Sequence, residues 1–243
     1  MVYYHVELGP SRGWADRGVR ASTMEDDASG AAMRAQSLEL VLATNESITI
    51  DLRPLPSPDE LEVVVDVLVE EKPPAYFWTA LAARCWNAER RAEAELIVAR
   101  GCAILPVHRP EESVPLFALQ AAFHLTDARA APKQVLSDAR YQSLGERAPK
   151  QHYFRQAVEA LNRAQSLNPQ HPMMLQARAA FALATGDNAL ATRLFDVLLS
   201  RVPTNPVALL GRACVQLRAR AYLAALHSYQ AVLRIALRLD QLA

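Results

Sequence analysis

The chain has 243 residues, 26 Lys+Arg against 26 Asp+Glu, 51% apolar side chains and 21% charged ones. This balance excludes a disordered chain, and no apolar run reaches the roughly 18–20 residues of a membrane span. The neutral total hides a gradient: residues 1–75 carry 14 acids and 6 bases, whereas residues 150–243 carry 4 acids and 11 bases. Two readings stay open, solvent-facing Arg scattered over amphipathic helices or a field that steers an acidic partner.

Residues 1–36 show no lasting periodicity and mix Gly, Ser, Ala and charge, so a disordered leader is expected there. Their start lacks the basic-then-apolar order of a secretory signal. Residues 37–74 form an expected N-terminal segment. SLELVL (37–42) and SITIDL (47–52) alternate as short strands, with Thr44-Asn45-Glu46 as a turn between them. Ser57, Pro58, Asp59 and Glu60 then read as a helix start. Leu61, Val64, Val65 and Leu68 keep helical spacing, which predicts a helix over 57–71, stopped by Pro73-Pro74.

From residue 75 the strand signals vanish and a repeat appears. PMMLQARAAFALATGDNALATRLFDVLLSRVPTN (172–205) aligns without a gap on the stretch beginning at Pro206, at an offset of 34 residues. Arg178 meets Arg212, Ala179 meets Ala213, Ala191 meets Ala225 and Phe195 meets Tyr229. Thirty-four is the tetratricopeptide (TPR) period. Small residues at repeat positions 8 and 20 let the two helices of a hairpin approach, and an aromatic at 24 fills the space beside them. RQAVEALNRAQSLNP supplies another second helix. Its first helix is expected at 113–128, with 129–150 inserted between the two. An earlier unit begins at Ala75, with Trp78, Leu81, Ala82 and Ala94 in frame. The predicted fold is all-α, a right-handed TPR solenoid of about four hairpins over 75–243 behind a short strand-containing segment.

Reaction centres are missing from the sequence. It contains no phosphate-cradling loop, dinucleotide fingerprint, H-E-x-x-H or nucleophile elbow. The six His are dispersed, and Cys102 with His108 are too few to hold zinc. The three cysteines form no CxxC, which fits reduced thiols in an intracellular protein. The carboxylates Asp59, Glu60 and Glu62 suit a positive helix start. A non-enzymatic chain without cofactor or metal is expected. What remains is a surface. The concave face of stacked hairpins is lined from positions 2, 5, 9, 12 and 13 of the first helices. Here these are Tyr76, Thr79, Ala83, Trp86 and Asn87; Met173, Gln176, Ala180, Leu183 and Ala184; and Val207, Leu210, Cys214, Leu217 and Arg218. The lining is small and apolar, which suits an extended apolar peptide. Met173, Leu183, Leu210 and Leu217 suit core between hairpins equally well. Arg178 and Arg212 either form a ladder for an acidic partner or pair locally.

Two segments carry a family resemblance. Residues 37–86, with Ser47–Leu52, Leu55-Pro56, an acidic helix and Trp78-Thr79-Ala80-Leu81-Ala82, resemble the N-terminus of the TPR scaffold subunits of the RNA polymerase II-associated factor (Paf) complex. Gly211-Arg212-Ala213-Cys214 and its surroundings are similar to a repeat of that family. The family also carries a long insertion in its second repeat. This chain departs in lacking Lys-rich character there and in stopping in its fourth hairpin, so a fragment or reduced version is expected. The resemblance implies a nuclear, non-catalytic scaffold whose N-terminal repeats hold an extended segment of the Paf-type core subunit. It implies contact with other Paf subunits, an indirect link to the RNA polymerase II elongation machinery, and a role in histone modification. A TPR adaptor of another complex is the alternative; direct nucleic-acid binding through the basic region is a more distant one. The end of the chain exposes Leu233, Ile235, Leu237 and Leu239, which predicts self-association unless something covers them.

Overall fold

The computed structural model describes residues 37–42, 47–52, 54–131 and 150–240. The expected leader, the Thr44-Asn45-Glu46 turn and the interior of the expected insertion lie outside these residues. Among the described residues the chain is mostly helical, with nine α-helices and one two-stranded sheet. They group into two compact units, one up to His108 and one from Arg109 to Arg238.

In the first unit, β1 (Ser37–Val41) pairs antiparallel with β2 (Ser47–Asp51), with Leu38 opposite Ile50 and Leu40 opposite Ile48. Leu38, Leu40, Ile50 and Leu52 are buried, so the alternation read from the sequence gives one core-facing edge. α1 (Pro58–Glu71) starts in a capping box. The Ser57 hydroxyl accepts from the Glu60 N–H, and the Glu60 carboxylate accepts from the Ser57 N–H at 2.8 Å. These bonds hold the Glu60 carboxyl below its ordinary pKa. Leu61, Val65 and Leu68 form the buried stripe of α1, which packs on α3.

α2 (Ala75–Asn87) and α3 (Arg91–His108) form the first hairpin, closed on Trp78, Leu81, Ala82, Ala94 and Ile97, each fully buried. Two arginines tie the N-terminal segment to this hairpin. Arg84 donates to the Leu52 carbonyl at 3.1 Å, and Arg90 donates to the Pro56 carbonyl while pairing with Glu93. The Leu-Pro turn therefore hangs on the guanidinium that also begins α3.

In the second unit, a 3₁₀ turn leads into α4 (Val114–Ala130), which packs along α5 (Lys150–Leu167). α4 continues beyond the expected end at 128. Ala128 is buried, and the chain turns extended only at Ala131, the residue before Pro132. α5 already begins at Lys150, so both ends of the segment expected as an insertion are helical. α6 (Pro172–Thr185) packs on both α4 and α5, and α7 (Asn188–Arg201) packs on α6. α8 (Pro206–Arg218) packs on α6 and α7 in turn. α9 (Tyr222–Asp240) joins α8 through a hydrogen bond from Ser228 to Gln216 at 2.9 Å.

The hairpin turns share one geometry. Glu89, Gly186 and Arg220 all have positive φ, at 63, 89 and 60 degrees. In each turn the next residue's N–H bonds back five residues at 2.9 Å: Arg90 to Cys85, Asp187 to Ala182, Ala221 to Gln216. Ala82, Ala179 and Ala213 are fully buried on first helices. Ala94, Ala157, Ala191 and Ala225 are buried on second helices. Each Ala is the small residue that lets two helix backbones approach.

Candidate functional site

The surface expected to bind a partner divides between the two units. In the first, Tyr76 is exposed and meets Phe77 edge-on at 6.0 Å. Trp86 is half-buried, with the Arg91 guanidinium 5.1 Å from its ring centroid, and Asn87 is exposed. Ala83 is half-buried between them in sequence. Thr79 is a correction. It is 2% exposed and its hydroxyl donates to the Tyr76 carbonyl at 3.1 Å, so it offers nothing to a partner. Position 5 of this helix therefore lies within the packing of the first unit.

In the second unit, Met173, Ala180 and Ala184 pack against the core cluster of Ala118, Ala121, Leu125, Ala157, Ala160, Leu161 and Ala177. Met173 is therefore partly core and partly surface, as are Gln176, Leu183, Val207, Leu210 and Cys214. Leu217 is 42% exposed. Arg218 is exposed, but it donates to the Leu183 carbonyl at 2.6 Å and to the Asn188 side chain at 3.3 Å. It clamps the α6–α7 turn onto the end of α8. What the first helices offer is thus a shallow, half-buried apolar strip with the Leu217 side chain standing out of it.

The arginine pair at repeat position 7 splits. Arg178 donates to the Gln165 side chain at 2.7 Å, which turns it toward α5 rather than along the first-helix strip. Arg212 finds no such partner, and its Nε is buried without an acceptor. The 34-residue step explains the difference, because it maps Gln165 onto Leu199, an apolar residue with nothing to accept. Arg201 likewise bonds the Gln170 backbone carbonyl at 2.7 Å and its side chain. No ion pair joins the described residues of 150–237. Arg178, Arg201 and Arg218 there donate to neutral oxygens instead.

Titratable groups follow burial. Burial pushes the Cys85 thiol up to about 11, which keeps it protonated and unreactive at neutral pH. Burial raises the Tyr229 phenol, and the neighbouring Cys214 adds to the shift. His171 caps α6, its Nδ1 accepting from the Met173 N–H at 3.2 Å, and burial lowers its pKa. Burial also lowers His124. Among the described residues no group of three His, Cys, Asp or Glu side chains could hold a metal ion.

Sequence reading missed one contact. Gly211 sits on the Phe195 ring so closely that a Cβ there would lie 2.1 Å from Cζ. The preceding pair is Ala177 over Leu161, in one core cluster. A larger residue at position 24 is matched by a smaller one at position 6 of the following helix. The signal was present in the alignment, as Leu161/Phe195 beside Ala177/Gly211, but only the packing shows that these positions touch. No protein-family model and no curated protein matches the chain.

Proposed function

We propose that this chain is a protein-interaction scaffold whose hairpins form a TPR solenoid, and that it serves as a subunit of the Paf transcription elongation complex in the nucleus. The observation that carries the scaffold reading is the recurrence of one hairpin at a 34-residue step. α6–α7 and α8–α9 share the positive-φ turn, the buried alanines and the packing of each first helix on the one before. Such an array buries its core between hairpins and leaves the first-helix strip for an extended segment. In the second unit Gln176, Leu210 and Leu217 are the residues that would meet it, and in the first unit Tyr76, Trp86 and Asn87 are the candidates for the same role. The Paf assignment rests on the resemblance of residues 37–86 and 205–235, and makes the Paf-type core subunit the segment's source.

Affinity capture from nuclear extract, read by mass spectrometry, tests both layers. Recovery of the Paf-type core subunit, lost in a Trp86→Ala/Leu217→Asp variant, is the expected result. Recovery of an unrelated assembly through the same residues keeps the scaffold and removes the complex. Recovery of nothing above a control chain removes both.

A further inference from the structure

The first-helix strip of the second unit has a floor and two walls. At repeat position 9, α6 and α8 carry Ala180 and Cys214, small and half-buried. Position 5 on one side holds Gln176 and Leu210, and position 12 on the other holds Leu183 and Leu217. Spacings of three and four residues keep these rows on one face of each helix, and α6 packs on α8. Gln176 is the one amide among these six residues. It is half-buried, and it makes no hydrogen bond among the described residues. An amide open to water is satisfied there, but a segment that docks over it must return a donor and an acceptor.

We infer that Gln176 holds the main chain of the docked segment, and that this segment is an acidic polyproline-II stretch of a partner protein with an apolar side chain at every third residue. The backbone requirement comes from the amide. Its oxygen accepts and its nitrogen donates, so it suits a main chain whose N–H and C=O groups are unspent. A helix has spent them internally, whereas polyproline II has no internal hydrogen bonds. The period comes from helix spacing. Polyproline II rises about 3.1 Å per residue with three residues per turn, so one face returns every ~9 Å. Packed helices lie about 8–10 Å apart. Side chains three residues apart therefore meet Leu183 on α6 and Leu217 on α8, while the chain between them crosses the small floor. The acid comes from charge complementarity. Residues 150–243 carry 4 acids and 11 bases, and Arg218, next to Leu217 and exposed, donates to the neutral oxygens of Leu183 and Asn188 and keeps its charge. The inference deepens the scaffold reading and rests on it, whichever complex the chain joins.

The test selects a display library of random peptides, about twelve residues long so that an extended one crosses both helices, on the full chain. The selected pool is expected to be acidic, with apolar residues recurring at every third position. Its tightest member should bind Leu217→Asp about tenfold more weakly than the parent. Replacing each backbone amide of that peptide by an ester in turn removes one N–H at a time. One position should weaken binding to the parent about tenfold and leave binding to Gln176→Ala unchanged, because the partner of that N–H is already gone. Both substituted positions are at least partly exposed, so circular dichroism should show both variants folded. Selected peptides indifferent to Leu217→Asp would place binding elsewhere and overturn the strip reading together with the inference, as would a library without binders. Peptides that need Leu217 but show no ester position coupled to Gln176 would keep the strip and overturn the inference. So would a neutral or basic pool, a period other than three, or tighter binding when the peptide is locked into a helix.

Discussion

Single residues in this chain separate donors that are satisfied from donors that are not. A guanidinium N–H taken from water without an acceptor costs about 1–3 kcal/mol, and Arg212 Nε is such a group. Arg212→Met keeps most of the packing and removes the orphan donor. Urea unfolding is expected to show that variant as stable as the parent or more so. Arg178→Met should lose about 0.5–1.5 kcal/mol, since Arg178 has its acceptor in Gln165. Equal losses in both would contradict the assignment. His171 offers a second residue-scale prediction. Its Nδ1 accepts a bond, so the cap needs the neutral ring, and burial lowers its pKa from the ordinary 6.5. The unfolded chain therefore binds protons first as pH falls. The stabilisation is fully present above about 6.5 and is lost on acidification from there through the lowered folded value. His124 acts in the same direction. The urea midpoint should fall between pH 7.5 and 5.5, and fall less in His171→Asn, which keeps an acceptor that does not titrate. A flat profile in the parent would refute this.

At the scale of elements, hairpin turns and helix contacts use one geometry with different residues. The left-handed turn position is Gly once, at Gly186, but Glu89 and Arg220 elsewhere. A side chain costs about 1–2 kcal/mol in that region, against a smaller entropic cost for Gly in the unfolded state. Arg220→Gly and Glu89→Gly are each expected to stabilise by about 0.5–1 kcal/mol, measured by thermal or urea unfolding. Gly186→Ala should cost about 1 kcal/mol, although nothing lies within 4 Å of its added Cβ. Gly211→Ala strains packing instead of backbone. Its Cβ enters the Phe195 ring, so a loss of about 1–3 kcal/mol is expected. Phe195→Leu in the same chain recreates the Leu161–Ala177 pair and should recover much of that loss. If the two losses simply added, the size-matching rule between consecutive hairpins would be wrong. Both turn and contact were half legible. The alignment showed which positions correspond, but φ and ring approach are not written in residue types.

At the scale of the whole molecule, the ion pairs Arg90–Glu93 and Arg109–Glu112 lie before residue 150, and the basic surplus lies after it. Residues 150–243 carry a surplus of seven bases, and no ion pair joins the described residues of 150–237. Like charges in one compact unit repel, and salt screens them over about 8–10 Å. Raising ionic strength should therefore stabilise the second unit modestly, which thermal melts across a salt series would show. A melt that falls with salt would point to favourable pairs. In the first unit, Arg84 and Arg90 hold the strand segment on the first hairpin through backbone carbonyls. Losing both in Arg84→Ala/Arg90→Ala should speed amide exchange in residues 37–57 before it affects α3.

Periodicity and caps determined the secondary structure here. The alternating runs at 37–42 and 47–52, the Ser57 start and the 34-residue step are local patterns, and the backbone obeys them because each needs only its neighbours. The resemblance to Paf scaffolds also came from sequence, and stands as a proposal that capture can decide. Tertiary structure decided the rest, because it depends on what arrives from elsewhere in the chain. Thr79 counted as surface by its position but is buried. Met173 suited groove and core equally and packs partly on the core, whereas Arg218, counted as a binding residue, also clamps a turn. Arg212 matched Arg178 letter for letter, but a leucine 34 residues beyond Gln165 left it without a partner. Helix position assigns a side chain to a face; only the opposing helix determines whether that face is core, clamp or open surface.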